Sequence, residues 1–222
     1  MPTPPAPKSF FLSPEVHEYL IDHGERPDPV QQSLIEATAA LGPVAGMQIA
    51  PEQGALMTML TRLVGARSAV EVGTFTGYSA LCIARGLESG GRLLCCDVSE
   101  EWTAVGRTHW ERAGVADSID LVIAPAVDTL RALPPDPTID IAFIDADKPN
   151  YPNYFAELIP RLRPNGLLLV DNVLWSGRVV DADAEDENTV AIRAFNDLVT
   201  ADPRVDTVML PVSDGLTLLR KR

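Results

Sequence analysis

Three short stretches of this chain carry side chains suited to chemistry. Phe143-Ile-Asp-Ala-Asp-Lys148 sets two carboxylates and an amine at the end of an apolar run that begins at Ile139. Asp171-Asn172 follows a second apolar run, residues 166–170. Val70-Glu-Val-Gly-Thr-Phe-Thr-Gly-Tyr-Ser79 is a glycine-rich turn after a third. Carboxylate and amide oxygens are the ligands that hard divalent cations take. In parallel α/β sheets, ligands bind at the carboxyl ends of strands. Two strands ending in such oxygens therefore suggest a metal site, with Asp145 and Asp147 both candidates.

Lys148 stands out by composition. Of the 18 basic residues only Lys8, Lys148 and Lys221 are lysines, and the other two sit in the terminal segments. Arginine keeps its proton in a protein, whereas a lysine beside a metal or in a dry site can act as a base. The glycine turn lets a ligand approach the backbone and opens onto free N–H groups of a following helix. It lacks the Gly-x-Gly-x-x-Gly spacing of dinucleotide sites. Glu71, two residues before Gly73, disfavours a pyrophosphate and suits a ligand carrying an ammonium or sulfonium. Asp97 ends another apolar run, the place from which an acid can hold a ribose diol.

The elements that position these groups follow from hydrophobic period and punctuation. Strands are expected at 68–72, 92–97, 119–123, 139–145 and 166–170, with helices at 78–88, 99–113, 126–133 and 151–163. Pro160 predicts a kink or early end in the last of these. Three helices precede the first strand, starting at Ser13-Pro14, Asp28-Pro29 and Pro51 and ending near Gly24, Gly42 and Gly65. They read as an appendage covering a sheet edge or a partner subunit. A further helix is expected at 188–201, and strands 205–210 and 216–220 form a hairpin. The alternation implies a mostly parallel sheet with right-handed crossovers and helices on both faces. One domain spans 1–222, divided into a mobile tail (1–8), a helical segment (9–66) and an α/β core (67–222).

Composition excludes several classes. With 31 acidic against 18 basic residues the net charge is −13, which repels nucleic acid and anionic membranes. No apolar run approaches a membrane span, and the start lacks a signal pattern, so a cytoplasmic protein is expected. Cys82, Cys95 and Cys96 read as buried small hydrophobes, and His17, His23 and His109 make no metal spacing. His109 shares a helical face with Trp102, Val105 and Trp110 and is expected to be packed. The acidic run 181–187 reads as a solvated loop, with a lid over the site as the alternative.

In order, these blocks resemble the cation-dependent O-methyltransferases, the family of caffeoyl-CoA and catechol O-methyltransferases and their bacterial relatives. The likeness runs from about Lys8 to the end. It rests on Met47-Gln48 with Pro51-Glu-Gln-Gly54, on Glu71 to Ser79, on Phe143 to Lys148, on Asp171-Asn-Val-Leu-Trp175 and on Leu210-Pro-Val-Ser-Asp-Gly215. The resemblance implies a Rossmann-like, seven-stranded methyltransferase fold with a C-terminal antiparallel hairpin. It implies that Asp145, Asp171 and Asn172 hold a divalent cation (Mg²⁺, Mn²⁺ or Ca²⁺) and that Lys148 is the catalytic base, with Asp145 between metal and cofactor. S-adenosyl-L-methionine would lie on Glu71, Gly73, Thr74, Phe75, Ser79, Asp97, Met47, Ile49 and Ala126. Asp147 then supports Lys148 or the next turn. The acceptor would be a catechol-like phenol, and the chain a homodimer.

The likeness is incomplete on the acceptor side. Ser176 stands where plant CoA-ester enzymes carry a substrate-contacting Asn, and Lys8 matches a basic position of those enzymes. Trp175 and Asp214 are either acceptor-pocket residues or a structural Trp and a turn Asp. Rival readings are a Mg²⁺-dependent phosphatase using Asp145-Ala-Asp147, a dehydrogenase, and a non-catalytic binding protein on this fold. The phosphatase motif belongs on an early strand, and the dehydrogenase lacks its glycines.

Overall fold

The computed structural model describes residues 12–222; the 1–8 tail and Lys8 lie outside them. Seven strands form one sheet in the order β3-β2-β1-β4-β5-β7-β6. They are β1 (Ser68–Val72), β2 (Arg92–Asp97), β3 (Ile119–Ile123), β4 (Ile139–Ile144), β5 (Leu162–Val170), β6 (Val205–Leu210) and β7 (Leu216–Lys221). β1 to β5 pair in parallel, and β7 runs antiparallel to both β5 and β6. The helices are α1 (Pro14–His23), α2 (Pro29–Ala39), α3 (Pro51–Leu63), α4 (Tyr78–Gly86), α5 (Glu100–Arg112), α6 (Ala126–Ala132), α7 (Tyr151–Arg161) and α8 (Glu187–Ala201). None of the described helices is long and apolar enough to cross a membrane.

Side chains alternate across a strand, and the two faces of this sheet carry separate cores. Val70, Val72, Ala142, Ile144, Leu168 and Val170 pack with Tyr151, Phe155 and Leu158 of α7 and Phe195 and Val199 of α8. Ala69, Leu93, Cys95, Ile141, Phe143 and Leu169 face the other way, onto Leu34 of α2, Met57 of α3, Leu81 of α4 and Trp110 of α5. The N-terminal helices are thus part of a core layer, except α1, which has no buried residue. Their starts follow the sequence signals: Asp28 and Gln31 form a capping box on α2, and Ser13 accepts the Val16 N–H on α1.

α7 ends at Arg161, the early end that Pro160 predicts. Most other ends fall within one or two residues of expectation, and the start of β5 departs furthest. β5 begins at Leu162 rather than 166, its first residue paired with Ile139 ahead of a register shift. The 181–187 run is a solvated loop. Arg178 pairs with Asp186, and Arg193 donates to the carbonyls of Val179 and Ala184 at 2.9 Å each. The three cysteines are buried and free, and His109 is packed, its Nδ1 2.8 Å from the Val105 carbonyl.

Candidate active site

The strand order reverses between β1 and β4, and ligands collect at such switch points. A cavity of about 1220 Å³ opens there, along the carboxyl ends of β1, β2, β4 and β5. Its floor on one side is the β1–α4 turn. Gly73 has φ +89°, and a Cβ there would lie 1.9 Å from the Asp145 carbonyl oxygen, so the turn and the end of β4 touch backbone to backbone. Asp97 accepts the N–H groups of Thr74 and Phe75, both at 2.8 Å on Oδ2, and that of Ser99 at 2.8 Å on Oδ1. It lines the cavity while holding the turn in shape. The Phe75 ring meets Trp102 edge-on, with centroids 5.2 Å apart.

Lys148 begins a 3-10 turn after β4 and is 7% exposed. Its Nζ donates to Asp145 Oδ1 at 3.1 Å, Asn172 Oδ1 at 2.6 Å and the Tyr151 hydroxyl at 2.7 Å. Tyr151 in turn donates to the Asp171 carbonyl at 3.1 Å. Asn172 adopts φ +57°, a conformation Asn tolerates better than most residues. Asp171 accepts its neighbour's Asn172 N–H at 2.7 Å on Oδ1 and the Gln53 amide at 2.8 Å on Oδ2. Burial raises both acids. Asp171 is pushed up to about 7, by desolvation first and then by the Asp145 charge, while desolvation raises Asp145 against the pull of Lys148.

This donor set fits a hard divalent cation. Asp145 Oδ1 and Asn172 Oδ1 converge on one point, the Lys148 Nζ, and the desolvated Asp171 side chain lies close enough to feel the Asp145 charge. Among the described residues no group of three or more His, Cys, Asp or Glu does the same, because the third oxygen here comes from an amide.

The cavity gathers nearly all the residues singled out from sequence: Met47, Ile49, Gly73, Thr74, Phe75, Ser79, Asp97, Ala126, Asp145, Lys148, Asp171, Asn172, Trp175, Ser176 and Asp214 line it. Glu71 does not. It is fully buried one layer beneath the turn, between its strand neighbours Cys95 and Phe143. Asp147 supports the following turn rather than Lys148, accepting from the Asn150 amide and, at 2.5 Å, from the Tyr154 hydroxyl. Asp214 lines the cavity and also accepts the Ser176 N–H, the contact expected of a turn Asp. Sequence reading missed Gln53, Tyr151, Asn188 and Ser213. Tyr151 was findable, three residues past Lys148 at the spacing of one helical turn.

The O-methyltransferase family model matches residues 22–222. A Dictyostelium discoideum protein named "Probable caffeoyl-CoA O-methyltransferase 1" is 39% identical, covering 91% of this chain and 90% of its own. The mouse catechol O-methyltransferase domain-containing protein 1 is 38% identical, over 95% of this chain and 82% of its own. Among solved structures, an O-methyltransferase from Bacillus cereus in complex with SAH superposes with a TM-score of 0.85 at 32% identity, covering 94% of this chain and 97% of that one. With a family model spanning nine-tenths of its length and relatives this similar over nearly all of theirs, the chain belongs to the O-methyltransferase family.

Proposed function

We propose that the protein transfers the methyl group of S-adenosylmethionine to a hydroxyl of a free catechol-like small molecule, using Lys148 as general base and a divalent cation. The observation that carries this reading is the Lys148 amine, held by Asp145, Asn172 and Tyr151 at the edge of a cavity large enough for two ligands. The SAH bound to the Bacillus cereus relative supports the cofactor.

Asp145, Asp171 and Asn172 would hold Mg²⁺, Mn²⁺ or Ca²⁺, which when bound lowers the pKa of an adjacent hydroxyl. Lys148 takes the hydroxyl proton, and its three partners fix the Nζ from which it does so. Gly73, Thr74 and Phe75 present backbone to the methyl donor, and their shape is set by Asp97. Ile49, Ala126 and Trp175 line the cavity with apolar surface that keeps water from the reacting oxygen. Attack in line on the methyl carbon needs no covalent enzyme nucleophile, so positioning supplies much of the rate. On this reading the protein is also a homodimer, which light scattering reads directly. Within an O-methyltransferase family the phosphatase and dehydrogenase readings have no place.

The test is methylation of simple catechols followed by mass spectrometry. Activity is expected to vanish with EDTA and return with Mg²⁺. Lys148→Arg and Lys148→Met should each lower kcat by about 10²- to 10⁴-fold; full activity in the Arg variant would sink the base assignment.

A further inference from the structure

We infer that Gln53 is a positioning residue for the metal site: its buried amide holds the Asp171 carboxylate in the orientation that receives the cation. The inference rests on the proposed role of Asp171 as a metal ligand and adds to that reading a residue from outside the sheet.

Gln53 lies in the first turn of α3, is 0% exposed, and reaches across 118 residues of chain to place Nε2 2.8 Å from Asp171 Oδ2. The other Asp171 oxygen is taken by the Asn172 N–H. The carboxylate is therefore clamped at both oxygens by N–H donors, one from its own strand end and one from α3. Each oxygen keeps lone-pair capacity for a further partner.

The other end of the Gln53 side chain gives the stronger argument. Its Oε1 is buried with no hydrogen-bond partner. Buried polar atoms are nearly always satisfied, so an orphaned acceptor calls for a reason. Turning the amide over would set Oε1 against the Asp171 carboxylate, oxygen to oxygen. The orientation is thus dictated by Asp171, and the residue tolerates one unsatisfied atom to keep a donor there. The substitution Gln53→Glu would keep the length of the side chain but put a second carboxyl group against Asp171.

The backbone beneath Gln53 is fixed as well. A Cβ on the next residue, Gly54, would come within 2.7 Å of the Tyr78 ring and 2.8 Å of Cys82 Sγ, so α3 lies flat against α4 at this turn. Thr58, one helical turn on, donates to the Cys82 carbonyl at 2.9 Å. Outer-shell partners of metal ligands of this kind orient the ligand and typically change metal affinity 10- to 100-fold.

The experiment is a cycle of Mn²⁺ binding, read by the electron paramagnetic resonance of free Mn²⁺, on the wild type, Gln53→Met, Asp171→Asn and the double variant. Calorimetric binding of S-adenosylhomocysteine checks that each protein is folded, and Gln53→Leu replaces the Met variant should that one not fold. Gln53→Met is expected to weaken Mn²⁺ binding about 10- to 100-fold and to weaken it no further once Asp171 is Asn. Equal weakening in both backgrounds would show a general structural role and overturn the inference. So would wild-type Mn²⁺ affinity in Gln53→Met beside a weakened Asp171→Asn, with the ligand role of Asp171 left standing. Wild-type affinity in Asp171→Asn would remove that ligand role, and the inference with it.

Discussion

Glu71 shows how far a single residue can be read from its neighbours in sequence. Its place two residues before Gly73 points to a direct contact with a cationic ligand. Strand alternation sets the side chain beneath the cavity wall: Val70 and Val72 face α7, so Glu71 faces the α3–α4 side with Cys95 and Phe143 beside it. There Oε2 accepts only the Cys95 thiol at 3.5 Å, and Oε1 has no partner. Desolvation pushes its pKa from 4.5 up to about 7, and the Ser79 and Thr74 hydroxyls, near it but outside hydrogen-bond geometry, offset only part of the rise. A folded-state pKa above the unfolded one means that folding favours the neutral acid. The stability so gained is fully present below about pH 4.5 and lost as pH rises through 7, by about 3 kcal/mol. Urea unfolding of the ligand-free protein should therefore show wild type losing that much stability relative to Glu71→Gln across this window. A difference that stays level with pH would mean the carboxyl is not desolvated as described.

At the scale of elements, the strand and helix order was legible because each apolar run is short, regular in period and bounded by Gly, Pro or a capping residue. What the N-terminal helices do was not. They read as an appendage, yet α2 places the Thr38 hydroxyl 2.8 Å from that of Thr76 in the β1–α4 turn, and α3 places Gln53 on Asp171. Such contacts join residues 38 and 118 positions apart, and no local pattern announces them. The blocks around Lys148 and Asp171 were readable for the opposite reason: parallel strands bring their carboxyl ends together whatever the connections do. The β1–α4 turn is the tightest of these junctions. Gly73→Ala puts a methyl group into the Asp145 carbonyl at a positive φ, and should destabilise the fold by more than about 3 kcal/mol. Denaturant unfolding followed by circular dichroism measures this, and a loss of under half that value would show that β4 can retreat from the turn.

For the whole molecule, charge bears on which acceptor enters. The cavity is lined by Asp97, Asp145, Asp147, Asp171 and Asp214, and among the described residues Lys148 is the sole basic one in its walls. The chain as a whole carries −13. A thioester of coenzyme A brings several phosphate charges toward this field, whereas a free catechol or a catecholamine brings none or a positive one. The kcat/KM for dopamine or catechol should exceed that for caffeoyl-CoA by about tenfold or more at low ionic strength, and added salt should narrow the gap by screening. A thioester preferred at low salt would contradict the free-catechol assignment.

The placement of the three tryptophans has a practical consequence. Trp102 stands in the cavity wall on the β2 side, and Trp175 stands beyond β5 with its ring 5.7 Å from the Lys148 amine. Trp110 is buried behind the β1–α4 turn and donates to the Gly77 carbonyl at 3.0 Å. Every indole in the chain therefore borders the catalytic cleft or the turn that shapes it. Intrinsic emission excited at the indole band reports on this one region with no background from elsewhere, so the unlabelled protein is its own optical titration probe. Single Trp→Phe replacements would separate the signal of the β2 side of the cavity from that of the β5 side.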